Sequence, residues 1–341
     1  MAMQTMMKNI AGINVMRTMV TVAGGGRRKQ AVVVTTRGGS GGVRQTVMAG
    51  GSGGSGSGGG GVRQTVMAGS VDVTFTTRSI SSIISPPYIV PEGSFGENMS
   101  ARLELAAAYR GLDQLGLNEG VCNHLTVMAP TAHDKQGGNI MLVVNFGLHW
   151  SEVKASELLG VDKDAKLVEG EGEPDLTASC IHLGIRSIRP DAKVIMHTHQ
   201  PYATALACLK DPRLLMVHQN STRFYQRVAY DNCYSGLALA MDEGCRLGQV
   251  LGNKDVLFMG NHGVIVVAPT VALAFDNLYY LERAAQVQIL AQSTQKELAL
   301  IPEKECQQTS QDIWNNIKLY SDAAFYAMYR KLKRTQPNFE F

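Results

Sequence analysis

The chain has 341 residues, of which 45% are hydrophobic and 18% charged, and a net charge of +3. These are globular proportions, and no run approaches the roughly 20 apolar residues that a membrane-spanning helix requires, so no membrane partner is expected. The six cysteines show no C-x-x-C spacing, which suits reduced thiols and leaves one disulfide open.

The charge is unevenly placed. Residues 1–71 hold eight Lys and Arg side chains and no Asp or Glu, so the rest of the chain is mildly acidic. A nucleic-acid surface combines basic residues with aromatics on a folded face. This segment has no aromatic residue, and no nucleic-acid partner is expected. Met6, Met7, Ile10, Ile13 and Arg17 follow the spacing of a weakly amphipathic helix. Free of acids and rich in Met, Thr and Arg, the segment resembles a mitochondrial transit peptide; a mis-started N-terminus is the other reading. The expected location is cytoplasmic or mitochondrial. The nonapeptide GVRQTVMAG occurs at 42–50 and again at 61–69 around GSGGSGSGGG. Two copies fall short of the three that a solenoid needs, and so dense a Gly spacer loses too much backbone entropy to fold. Residues 1–79 are therefore expected to be a disordered, basic, Gly/Ser-rich tail.

From residue 80 the pattern changes. Ser100 can cap a helix through ARLELAAAYRGLDQLG, with Leu103, Ala106, Ala107 and Arg110 at helical spacing and Gly116 as its stop. NHLTVMAP and NIMLVV read as strands, and SEVKASELLGVD as a short helix or turn leading into another. After the acidic loop VEGEGEPD, Asp175 or Thr177 can cap a helix that ends at Arg189-Pro190. A strand from Val194 to His199 and a helix from Tyr202 follow. DVLFMGNHGVIVVAP reads as two strands meeting at a Gly-rich turn, and Thr270 opens the longest helix, VALAFDNLYYLERAAQVQILAQ. No G-x-G-x-x-G or G-K-[ST] phosphate loop follows any strand. The pattern predicts one α/β domain over residues 80–300, with a mixed or antiparallel sheet covered by helices on both faces, and a helical extension over 301–341.

Side chains alternate along a strand, so His197 and His199 point to the same face, about 7 Å apart at the backbone. Two such imidazoles can converge on one ion, although an isolated H-x-H is a weak sign. A third candidate is His262, in the turn GNHGV. Three histidines at the strand ends of one sheet form an open three-ligand site, the pattern of a catalytic metal rather than a structural one.

RPDAKVIMHTHQPYATAL followed by NHGVIVVAPTVALAFDNLYYLERAAQVQ resembles the class II aldolase/adducin family, and the similarity runs from about residue 100 to 295. The resemblance implies a three-layer α/β/α domain around a mostly antiparallel central sheet, assembled as a homotetramer. It also implies that His197, His199 and His262 bind a divalent ion, normally zinc, and that the substrate is a small molecule. A metal bound to the carbonyl and neighbouring hydroxyl oxygens of such a substrate stabilises an enediolate, the intermediate shared by aldol cleavage, epimerisation and some dehydrations.

The sequence also departs from the family's aldolases. Their catalytic Glu sits in a Ser-Ser-Glu stretch that falls here on Leu176, Thr177 and Ala178, and a methyl group cannot move a proton. The Gly-Asn-x-Ser phosphate loop becomes Asn123-His124-Leu125-Thr126, and Thr-Gly becomes Phe146-Gly147. Phe and Leu cannot donate hydrogen bonds to a phosphate. Glu173 and Asp175 are the candidates for proton transfer in place of the missing acid, while His124, Gly147 and Thr177 are expected to line the substrate pocket. His149, His182, Asn220, Tyr225 and Tyr234 are further polar groups near the site in sequence. Two functions follow: a zinc-dependent lyase or isomerase for a small, unphosphorylated hydroxy-carbonyl compound, or a non-catalytic adducin-like binding or scaffold module. Adducins carry a long basic tail, whereas this chain ends at YRKLKRTQPNFEF, which weighs toward the enzyme.

Overall fold

The computed structural model describes residues 3–10, 13–24, 27–37, 43–49, 85–88, 93–132 and 138–341. It divides into two units, residues 1–73 and 74–341. In the first unit, strands β1 (Met3–Ile10), β2 (Ile13–Gly24), β3 (Arg27–Arg37) and β4 (Val43–Ala49) pair in that order as an antiparallel meander. The spacing of Met6 to Arg17 predicts a weakly amphipathic helix, whereas β1 and β2 occupy that stretch. The β-branched Val, Ile and Thr side chains of these strands favour the extended form. The Gly/Ser spacer and the second nonapeptide copy lie outside the described residues.

The second unit is built on an eight-stranded sheet. Its strands are β5 (His124–Pro130), β6 (Asn139–Val143), β7 (Leu159–Val161), β8 (Leu167–Glu169), β9 (Val194–Thr198), β10 (Val228–Asp231), β11 (Val256–Met259) and β12 (Gly263–Ala268). They lie in the order β10-β11-β12-β9-β5-β6-β7-β8. Every neighbouring pair is antiparallel except β10 and β11, so the sheet is mixed, with one parallel pair at its edge.

Helices cover both faces, as the alternation of the strands demands. Along β9, Val194 and Met196 enter one core with Leu125, Val127, Val264 and Val266, whereas Ile195 enters another with Leu257, Ile265 and Val267. The first core is closed by α1 (Ser94–Gln114), α3 (Pro201–Ala207), α5 (Val271–Gln292) and α7 (Ile317–Thr335). The second is closed by α2 (Leu176–Ile188) and α4 (Met241–Leu251). Those two helices cross where Gly184 meets Gly244: a Cβ on Gly184 would lie 2.6 Å from the Gly244 Cα. Among the described residues, no helix is long and apolar enough to cross a membrane, and all six cysteines are free thiols.

Two elements differ from the pattern in the sequence. Helix α1 starts at Ser94, behind Gly93, and Ser100 lies inside it against the Tyr88 hydroxyl rather than at its cap. Residues 301–341 form α6 (Glu303–Asn315), α7 and a closing turn, Pro337–Glu340. Helix α7 is no appendage. Its Phe325, Tyr329 and Leu332, with Phe339 beyond it, are fully buried in the main core, and Phe325 meets Phe275 of α5 edge to face at 5.5 Å. Phe325→Ala should therefore cost about 3–5 kcal/mol in urea unfolding. Leu319→Ala, at a side chain 43% exposed on the same helix, should change stability by less than about 1 kcal/mol.

Candidate metal centre

Strand β9 ends at Thr198, so His197 lies one residue inside its end and His199 just beyond it. The pairing sets His197 opposite His124 of β5 on one side and Ile265 of β12 on the other. His262 sits in the turn joining β11 to β12. Gly263 follows it because a Cβ there would lie 2.6 Å from the Thr198 carbonyl oxygen and 2.7 Å from the His199 ring. The three rings form a near-equilateral triangle, with centroids 4.9, 4.8 and 4.8 Å apart. One nitrogen from each lies within 4.8 Å of the others.

The neighbours of two of these rings fix their tautomers. His197 Nδ1 lies 3.0 Å from the Val264 carbonyl oxygen, which can only accept, so this nitrogen carries the proton and Nε2 keeps its lone pair. His199 Nδ1 donates to the Glu119 carboxylate, so in the neutral ring its Nε2 carries the lone pair as well. These two Nε2 atoms face each other at 3.1 Å. Between two neutral rings, lone pairs at that distance repel unless a cation lies between them. Tetrahedral ligands at zinc–nitrogen distances stand about 3.3 Å apart. The donor set therefore fits a divalent ion.

Burial, reinforced by the other imidazoles, pushes the His262 pKa down to about 4 and that of His197 well below the usual histidine range. Neutral imidazole is the form that binds metal.

Behind the triad runs a buried polar chain. Thr177 Oγ1 lies 3.4 Å from His124 Nε2, His124 Nδ1 3.0 Å from His182 Nε2, and His182 Nδ1 2.7 Å from Thr126 Oγ1. Arg186 closes it by donating to Thr126 Oγ1 at 2.9 Å. The His124 ring lies 4.9 Å from that of His197. Burial takes His124 down to about 4 and His182 well below its usual value.

The sequence candidates scatter around this centre in different roles. Asp175 is the cap of α2: its Oδ1 accepts from the Ala178 N–H at 2.9 Å and from the Thr177 hydroxyl at 2.6 Å. Glu173 is exposed and held through its backbone, its N–H donating to Asn145 and its carbonyl accepting from Phe146. Ala178 faces an apolar cluster with Met141, Val143, Leu159, Val161 and Leu183, not the histidines. Gly147 has φ +85° and open space around it, beside an exposed Phe146. His149 bonds to Asn118 and Ser151. Tyr225 reaches Glu303, away from the triad, whereas the Tyr234 ring lies 6.4 Å from that of His262.

Glu119, in contact with His199, is the side chain of this centre that sequence reasoning misses. It is 80 residues from His199 and lies in a turn without periodicity; only the G-L-N-E-G turn composition marks the place.

The profile of the Class II Aldolase and Adducin N-terminal domain matches residues 103–289, which span the triad and the sheet that carries it. The chain belongs to this family. It is 33% identical over 200 residues to an adducin-related protein of Schizosaccharomyces pombe, which covers 56% of this chain and 59% of that one. Against the decarboxylase NovR of Streptomyces niveus it is 27% identical, over 64% of this chain and 82% of that one. Among solved structures, an aldolase II superfamily protein from Pseudomonas syringae superposes with a TM-score of 0.65 and 31% identity. That superposition covers 72% of this chain and 96% of the other. The family match lies within the second unit, and the chain covers less than two thirds of the adducin-related protein's length.

Capping by Asp175 makes a direct test. Asp175→Ala should destabilise the fold by about 1 kcal/mol and Asp175→Asn by less, since Asn still caps. The check is a thermal melt of each variant against wild type.

Proposed function

We propose that this class II aldolase-family protein is a zinc-dependent lyase acting on a small, unphosphorylated hydroxy-carbonyl compound. The observation that carries the reading is the pair of bare Nε2 atoms of His197 and His199, facing each other at 3.1 Å with His262 completing the triangle. A divalent ion on these three nitrogens would supply Lewis acidity toward carbonyl and hydroxyl oxygens. The family's decarboxylase relative supports bond cleavage as the reaction class.

The protein's own residues shape the rest of the site. Val264 and Glu119 hold two imidazoles in the tautomer that presents Nε2. His124 and Thr177 give the adjoining wall neutral hydrogen-bonding groups. Where a phosphate grip would lie, Phe146 and Leu176 are exposed apolar side chains and offer no donors. Tyr234, beside His262, and the exposed apolar Leu237, Leu239 and Met241 that follow it in the chain support association of chain copies, which we take to be a homotetramer.

Metal analysis of the purified protein should find about one zinc per chain, and His199→Ala should lose most of it. A wild type that stays metal-free after incubation with zinc, manganese or cobalt would overturn the enzyme reading and favour a non-catalytic, adducin-like module.

Substrate class is tested by comparing fuculose 1-phosphate with free fuculose as ligands, by calorimetry on the zinc-loaded protein. A buried set of charge-assisted phosphate bonds would give on the order of a thousandfold preference for the phosphate. The expected outcome is no such preference; tight, selective binding of the sugar phosphate would refute the unphosphorylated class. Ala178→Glu should not confer the missing acid. It would place a carboxylate among Met141, Val143 and Leu159, and should destabilise the fold by several kcal/mol.

A further inference from the structure

The turn preceding β5 holds His199 in two independent ways. Its Glu119 carboxylate accepts from His199 Nδ1, and its Asn123 Oδ1 accepts from the His199 backbone N–H at 2.9 Å. Asn123 adopts φ +72°, a left-handed conformation that asparagine tolerates better than most residues. A bridge between Glu119 and Cys122 closes the turn between the two contacts. His199 lies one residue beyond the end of β9 and receives no support from the strand ladder. His197, by contrast, is fixed by the β12 backbone through Val264, and His262 by the β11–β12 turn. Of the three rings, His199 alone depends on a side chain from a separate turn.

We propose that Glu119 is a positioning residue for His199, and that the 119–123 turn thereby sets the affinity and residence time of the metal. The inference rests on the metal reading above and goes further by assigning the control of that site to a particular carboxylate. The physical reasons are two. A carboxylate bonded to Nδ1–H fixes both ring orientation and tautomer, and it increases the electron density that Nε2 offers to a cation. Without it, His199 can rotate about its side-chain bonds or carry its proton on Nε2, and the centre falls to two well-placed ligands. The Glu119 side chain is 59% exposed, so it can be replaced without opening the core.

The test is cobalt(II) affinity, measured by competition with a chelator of known strength, on the full chain of wild type, Glu119→Gln and Glu119→Ala. Removing the outer partner of a metal-bound histidine typically costs 10–100-fold in affinity. The expected order is wild type tightest, Glu119→Gln weaker by about tenfold, and Glu119→Ala weaker by up to about a hundredfold. Chelator-driven release should accelerate in the same order, with the melting temperatures of the metal-free proteins unchanged. The visible spectrum of bound cobalt adds a readout of ligand geometry that a purely structural role would not move. Should Glu119→Ala fail to fold, the near-isosteric Gln variant decides alone. If wild type binds cobalt and both variants bind within twofold of it, the role of Glu119 is overturned while the metal centre stands. If wild type binds no cobalt, the metal reading itself has failed and takes this inference with it.

Discussion

The antiparallel register of β5, β9 and β12 is the constraint on which the site depends. With His197 opposite both His124 and Ile265, the pleat sends Ile195 and His197 toward α2 and α4, and Val194 and Met196 toward the larger core. A slip of one residue would exchange those faces, burying the imidazole where Leu125 and Val266 pack. The apolar side chains of β9 therefore hold the histidines in place by an energy unrelated to metal binding.

The second layer of support comes from the helix that follows. Glu282 of α5 accepts from the backbone N–H groups of Tyr202 and Ala203, both at 2.9 Å, and so anchors the first turn of α3 directly after His199 and Gln200. Its carboxyl is pushed above its usual range by burial, with the two backbone hydrogen bonds opposing the shift. The long helix α5 in turn is fixed by α7, through Phe275 and Phe325, and by the buried ion pair of Asp276 with Arg223. Rigidity at the strand end is thus drawn from three elements far apart in sequence, including the C-terminal helix that looks peripheral on the linear chain.

What the sequence makes legible is what repeats locally. The two-residue period of M-H-T-H places two imidazoles on one face, the Gly-flanked His262 marks a tight turn, and Thr270 and Asp175 announce helix starts that the structure confirms with side-chain caps. Contacts that join distant segments leave no such trace. Glu119 reads as one more turn residue until the fold brings it to His199. Ala178 is correctly seen to lack an acid, but whether its Cβ faces the three histidines or the apolar cluster is decided by how α2 rolls on the sheet, and no local pattern records that angle. The early start of α1 escapes for a related reason: Gly93 at φ +87° begins the helix without a capping side chain.

The buried chain from Thr177 to Arg186 gives the site its electrostatic character. Among the described residues buried Arg186 has no carboxylate partner, and burial pushes its pKa down to about 9. Its charge is taken up by the carbonyls of Thr126, Ala192 and Lys193 and by the Thr126 hydroxyl. Together with burial and His124, it disfavours protonation of His182, so the chain beneath the triad is held neutral or positive. The balancing carboxylates, Asp175 and Glu119, lie at the margins, one fixed to a helix terminus and the other to His199. The carboxylates that act on the triad itself are Glu119, bonded to His199, and Glu243, whose charge is felt at His262. Negative charge developing on a bound substrate would meet imidazoles, a distant guanidinium and a hydroxyl, and in a low-dielectric setting that preorganisation is worth more than the same groups in water.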